Sequence, residues 1–156
     1  MLKVGDPLPE FEARTTEGCP IRTAALRGKP AVLFFFPKAF TPGCVRETKS
    51  FRDEYPSLAR RGVQIVGVST DPLDAQCRFA EWAGVPFPLV ADTERCMSKL
   101  FGVLWPLVGV AKRVTFVADA ESIIRHVFHH ELRVDCHVRD VREAVEALGV
   151  SLSTSL

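Results

Sequence analysis

Short apolar runs alternate with polar, proline- and glycine-punctuated stretches along the chain, and the runs carry two different periods. Ala31-Val32-Leu33-Phe34-Phe35-Phe36 is apolar at every position, the pattern of a strand covered on both faces. Pro37 ends it. Thr41-Pro42 then opens a helix, because threonine is a good N-cap and proline is favoured at the first helical position. The helix is predicted to run to about Arg61, with Gly62 as its stop. Val63-Gln64-Ile65-Val66-Gly67-Val68 reads as a second buried strand. Residues 31 to 68 therefore predict a strand–helix–strand unit with parallel strands and a right-handed crossover.

Around that unit the signals are shorter. Glu10 to Arg14 and Cys19 to Arg22 flank Thr15-Thr16-Glu17-Gly18 and predict an N-terminal β-hairpin. A helix is expected from about Pro72 to Ala83, a short strand at Phe87 to Ala91, and a short helix from Glu94 to Phe101 closed by Gly102. Val114 to Ala118 and Ile123 to Phe128 flank Asp119-Ala120-Glu121-Ser122 and predict an antiparallel hairpin. Val138, Val141, Val145 and Leu148 form a helical stripe ended by Gly149. The apolar loop Val103 to Ala111 reads either as a covered core loop or as an apolar rim for a substrate or partner. The sum is an α/β domain with a mixed central β-sheet flanked by helices. Residues 1–156 form one domain in this reading, with 149–156 as a frayed tail.

Composition narrows the function classes. A length of 156 residues suits one domain with a real core. Twenty basic side chains face nineteen acidic ones, which leaves no electrostatic footprint for nucleic acid or an anionic membrane. The longest apolar runs fall well short of the roughly 20 residues of a spanning helix. Met1 to Pro9 lacks an apolar signal core, so a cytoplasmic location is expected, where thiols stay reduced. The five cysteines, Cys19, Cys44, Cys77, Cys96 and Cys136, are odd in number and scattered, unlike a secreted disulfide framework. No C-x-x-C pair exists, which argues against a zinc ribbon and a dithiol centre. His126, His129, His130, Cys136 and His137 are metal-ligand types, but their spacing matches no metal motif and they read as solvated or core residues.

The chemistry concentrates in Pro37-Lys38-Ala39-Phe40-Thr41-Pro42-Gly43-Cys44-Val45-Arg46-Glu47. With Thr41 as N-cap, Cys44 is the third helical residue, in a turn whose backbone N–H groups lack helical partners. Those donors and the positive end of the helix dipole favour an anion, and a thiolate is that anion. The site also lies at the carboxyl end of a buried parallel strand, where open α/β sheets place ligands. A thiolate attacking a peroxide displaces an oxyanion, so donors must face both oxygens. Thr41 offers a hydroxyl one turn away, and a nearby arginine would supply a permanent charge and a fork of donors.

Pro37-x-x-x-Thr41-x-x-Cys44 resembles the active-site signature of peroxiredoxins, and Glu47 extends it as in the peroxiredoxin Q or bacterioferritin comigratory group. Arg113-Val114-Thr115-Phe116-Val117 is similar to a later family motif. Gly5 to Phe11, Val66 to Ser69 with Asp71, and Pro86 to Asp92 fit as flanking blocks, so the resemblance covers roughly residues 3 to 148. It implies a thioredoxin-like fold and a thiol peroxidase acting on hydrogen peroxide and organic hydroperoxides. Cys44 would be the peroxidatic nucleophile that becomes a sulfenic acid. Thr41 would bond the peroxide and sulfur, Arg113 would stabilise the thiolate and the developing charge, and Pro37 would shield the sulfenic acid. Glu47 would orient polar groups at the pocket rim, or be a plain helix-face carboxylate. No metal, haem or flavin is implied. Thioredoxin, glutaredoxin or a small thiol would supply electrons, to a monomer or homodimer.

Two positions depart from the pattern. Lys49 stands where the group often carries a resolving cysteine, and Ser122 replaces the usual glycine of a turn. Cys77 lies on the helix that supplies the resolving thiol in some members, one turn before the aligned Ala80. It is the candidate resolving residue, Cys96 is a weaker one, and a one-cysteine enzyme is the alternative. Two rivals share the fold. A thiol–disulfide oxidoreductase needs a C-x-x-C pair, and Glu47 occupies the partner position. A redox sensor or holdase would use Cys44 oxidation as a switch.

Overall fold

The computed structural model describes residues 1–129 and 134–148, with the side chains of 134–137 excepted. Two short strands, β1 (Glu12–Ala13) and β2 (Ile21–Arg22), form the N-terminal antiparallel hairpin, and a single helical turn, α1 (Thr23–Leu26), follows. The main sheet contains β3 (Ala31–Phe35), β4 (Gln64–Ser69), β5 (Leu89–Ala91), β6 (Val114–Ala118) and β7 (Ile124–His129). Its order is β5-β4-β3-β6-β7, parallel on the β3, β4, β5 side and antiparallel on the β6, β7 side. The helices are α2 (Pro42–Arg60), α3 (Leu73–Ala83), α4 (Cys96–Phe101) and α5 (Val134–Ala147).

The unbroken apolar run of β3 has a direct cause. Successive side chains point to opposite faces, and both faces are covered. Val32, Phe34 and the following Phe36 join a core with Cys44 and Phe51 of α2, Phe79 of α3, and Val141 and Val145 of α5. Ala31, Leu33 and Phe35 join a second core with Phe11, Leu26, Met97 and Phe101. Gly67 of β4 pairs with Phe34. The Phe34 ring and Leu89 fill the space a side chain would need there: a Cβ would sit 2.7 Å from Phe34 Cζ and 2.6 Å from Leu89 Cδ2.

The structure moves several predicted boundaries. The hairpin strands are two residues each, and α1 follows them unannounced because one turn leaves no periodicity. α5 starts at Val134, one turn before the predicted Val138 and in step with its stripe. The loop from Val103 to Ala111 is covered only at its ends: both terminal residues are buried, whereas Leu107 at the tip is 100% exposed. Ser122 takes a left-handed φ of 62° in the β6–β7 turn, which is why glycine suits that position. His126 and His129 lie on β7 and Cys136 and His137 on α5, but His130 and the side chains of Cys136 and His137 lie outside the described residues. No described helix is long and apolar enough to cross a membrane.

Candidate active site

Three pieces of chain meet at the carboxyl end of β3. The loop after β3 leads into α2, and Arg113 stands directly before β6. Antiparallel pairing sets Phe35 opposite Val114, so the start of β6 lies beside the end of β3 and delivers Arg113 to the head of α2.

The loop is fixed from outside. Asp71, just past β4, accepts a 2.8 Å hydrogen bond from the Ala39 amide and a 2.6 Å bond from the Ser69 hydroxyl. Phe40 adopts a left-handed φ of 65°, a costly backbone for a bulky residue. Its ring, 47% exposed, rests on Phe79 and Trp82 of α3, at centroid distances of 5.1 and 5.6 Å. Lys49, five residues after Cys44, holds its ammonium 4.5 Å above the Trp82 ring.

Thr41 has the extended backbone of an N-cap, but its side chain makes no cap bond. Its hydroxyl instead donates to the Lys38 carbonyl at 2.7 Å. The first helical i to i−4 bond runs from Val45 N to Thr41 O at 2.8 Å. The amides of Gly43 and Cys44 precede that bond, and the Thr41 side chain does not engage them, so the head of the helix keeps its anion-binding character. Pro37 is half-buried beside buried Phe36 and Ala39.

Cys44 is 1% exposed. Arg113 Nη2 lies 3.5 Å from Cys44 Sγ, and Nη1 donates to Glu47 Oε1 at 2.7 Å. Glu47 is fully buried one turn along the same helix face, and Arg113 is 6% exposed. Burial works against the charge on Arg113, but the Glu47 carboxylate and Cys44 outweigh it and hold the guanidinium above its ordinary range. Glu47 is thus neither a solvated helix-face carboxylate nor a rim residue; it sits beneath the arginine. Chemically, the arrangement presents a sulfur to a fixed cation at the head of a helix. That combination suits an ionised thiol and an oxyanion beside it.

The sequence candidates Cys44, Glu47 and Arg113 come into direct contact, with Thr41 and Pro37 on the adjoining loop. Cys77 and Cys96 are exposed free thiols on α3 and α4, and neither is bonded to Cys44. Cys96 opens onto a cavity of about 450 Å³ lined also by Phe11, Arg14, Leu73 and Asp92; that cavity shares no lining residue with the Cys44 site. In the sequence Asp71 stands only within a flanking block, without a role, and its spacing from Ser69 is the signal that points to it.

The chain matches the AhpC/TSA family over residues 4–127. It is 36% identical over 151 residues to the putative peroxiredoxin Rv1608c of Mycobacterium tuberculosis, covering 94% of this chain and 98% of that one. Among solved structures, peroxidoxin BcpB of Mycobacterium tuberculosis superposes with a TM-score of 0.88 at 36% identity, covering 95% of this chain and 99% of that one. The bacterioferritin comigratory protein of Xanthomonas campestris, whose structure is described in terms of alkyl peroxide reduction, gives 0.83 at 26% identity over 88% and 91%. The fold, the residue pattern and these likenesses agree: the chain belongs to the AhpC/TSA family, in its peroxiredoxin Q and bacterioferritin comigratory group.

Proposed function

We propose that this thiol-dependent peroxidase reduces hydrogen peroxide and organic hydroperoxides at Cys44. The observation that carries this reading is the guanidinium of Arg113 held 3.5 Å from the sulfur by a fully buried carboxylate. The Cys44 thiolate attacks the terminal peroxide oxygen. An S–O bond forms, the O–O bond breaks, and the sulfur gives up two electrons to become a sulfenic acid. The leaving alkoxide or hydroxide takes a proton and departs as alcohol or water.

The roles follow from bonding capacity. Arg113 and the Gly43 and Cys44 amides donate to the thiolate and to the developing oxyanion. Thr41 commits its hydroxyl proton to Lys38 O, so its free lone pair accepts from the peroxide O–H. Glu47 holds the fork of Arg113 in register. Pro37 walls the sulfur from bulk water.

A second thiol then attacks the sulfenic acid, forming a disulfide and releasing water, and a further thiol reduces that disulfide. Cys77 is the candidate within the chain; its exposure leaves it open to a thioredoxin- or glutaredoxin-type reductant. A Cys44–Cys77 bond needs the two Cα atoms within about 7 Å and the buried Cys44 sulfur opened to the second thiol. The free thiols of Cys19, Cys44, Cys77 and Cys96 fit a reducing compartment such as the cytoplasm.

Stopped-flow peroxide reduction tests the reading. Cys44→Ser is expected to abolish turnover, and a variant that keeps the wild-type rate ends the assignment. Mass spectrometry after one equivalent of peroxide separates the two routes: a Cys44–Cys77 disulfide means an internal resolving thiol, and a lone sulfenic acid at Cys44 means an external one.

A further inference from the structure

Gly43 stands between Pro42 and Cys44 at the second position of α2. Its φ is not left-handed, so any residue could adopt its backbone. What singles it out is space. A Cβ on Gly43 would lie 2.9 Å from Arg113 Nη2 and 3.7 Å from Cζ. Nη2 is the same nitrogen that faces Cys44 Sγ at 3.5 Å. The contact is about 0.5 Å closer than ordinary van der Waals distance.

We propose that Gly43 is a positioning residue, its missing Cβ being the space through which Arg113 reaches the sulfur. The inference rests on the reading of Arg113 as the group that assists Cys44. Because the near atom is the end of a side chain, an added methyl moves the guanidinium rather than the backbone. The guanidinium has little freedom to move usefully. Nη1 is tied to Glu47 Oε1 at 2.7 Å, and the group is buried. Pivoting about that bond takes Nη2 off a sulfur it already meets at the long end of hydrogen-bond range. Glutamate, arginine and cysteine therefore set the geometry together, and the glycine sets how close the fork comes.

The test compares wild type, Gly43→Ala, Arg113→Gln and the double variant at neutral pH. Hydrogen peroxide rate constants, Cys44 alkylation by iodoacetamide and thermal unfolding are measured on each. Gly43→Ala is expected to lose about tenfold in peroxide rate, the partial loss of one charge-assisted bond. Its alkylation rate falls in parallel. Its unfolding midpoint falls by no more than about 4 °C, since the contact is relieved at the end of a side chain and not in the backbone. In the Arg113→Gln background the same change is expected to cost nothing more, and Gly43→Ser, with the same Cβ, should match Gly43→Ala.

Other outcomes separate the two ideas. A normal Gly43→Ala rate beside a slowed Arg113→Gln overturns the inference and leaves the peroxidase reading standing. A normal Arg113→Gln rate removes the role of Arg113 and the inference together. Losses that multiply in the double variant overturn it, because Gly43 then acts without Arg113. So does a Gly43→Ala chain that fails to fold, since the argument requires the guanidinium to yield and not the backbone.

Discussion

Replacing Glu47 with glutamine keeps the side-chain volume and an oxygen that can accept from Arg113 Nη1, but removes the charge. The guanidinium is then left 6% exposed opposite a neutral amide. Breaking a buried ion pair by neutralising one partner costs about 3–5 kcal/mol, because the other charge stays desolvated. The surviving hydrogen bond places Glu47→Gln near the lower end, about 3 kcal/mol. For a chain of this length each kcal/mol lowers the midpoint by about 2–4 °C, so a drop of about 6–12 °C is expected in thermal unfolding. A cation held above its ordinary range stabilises below that range and loses the effect only at more alkaline pH. Arg113 therefore adds no pH dependence near neutrality. Glu47→Gln/Arg113→Met, which replaces the pair with uncharged groups, should recover part of the loss. A Glu47→Gln midpoint within about 2 °C of wild type would refute the claim that this carboxylate neutralises a buried cation.

Gly67→Ala forces a methyl to within 2.7 Å of Phe34 and 2.6 Å of Leu89; overpacking of this kind should cost about 1–3 kcal/mol in urea unfolding, and an unchanged midpoint contradicts it. The buried hydroxyl of Thr23 accepts from Phe11 N and donates to Pro9 O, each at 2.8 Å. Thr23→Val orphans both backbone groups and should cost about 2 kcal/mol by the same assay, whereas a neutral result shows that water replaces the hydroxyl. Burial would raise the Asp119 carboxyl, but the Ile123 amide, the Arg125 guanidinium and the Glu121 amide outweigh it and hold it below its ordinary range. Such a carboxylate stabilises above that range and stops doing so as pH falls through its folded-state value. The stability advantage of wild type over Asp119→Asn should therefore shrink between about pH 5 and pH 3; a constant gap would contradict the assignment.

The strand–helix–strand unit and the placement of Cys44 were legible because their causes are local. A run covered on both faces, a Thr-Pro helix start and glycine stops each act within a few residues. The partnership of Glu47 and Arg113 was not legible, although both residues were named. They are 66 positions apart, and only the β3–β6 register brings them together. Thr41 holds the N-cap position that the Thr-Pro pair predicts, but the direction of its hydroxyl, toward Lys38 O, was not legible. The left-handed Phe40 gave no signal, because its backbone is held by rings on a separate helix. Residues such as Gly43 resist sequence reading for a related reason: what matters is an atom that is absent, next to a residue 70 positions later.

The trio of Cys44, Arg113 and Glu47 holds two acidic groups around a single cation. The two ends of the guanidinium have different tasks: Nη1 is committed to Glu47, and Nη2 is the nitrogen that faces Cys44. On the proposed route the sulfur changes its charge during a turnover and the carboxylate does not, so the arm that must respond is carried by one that stays anchored.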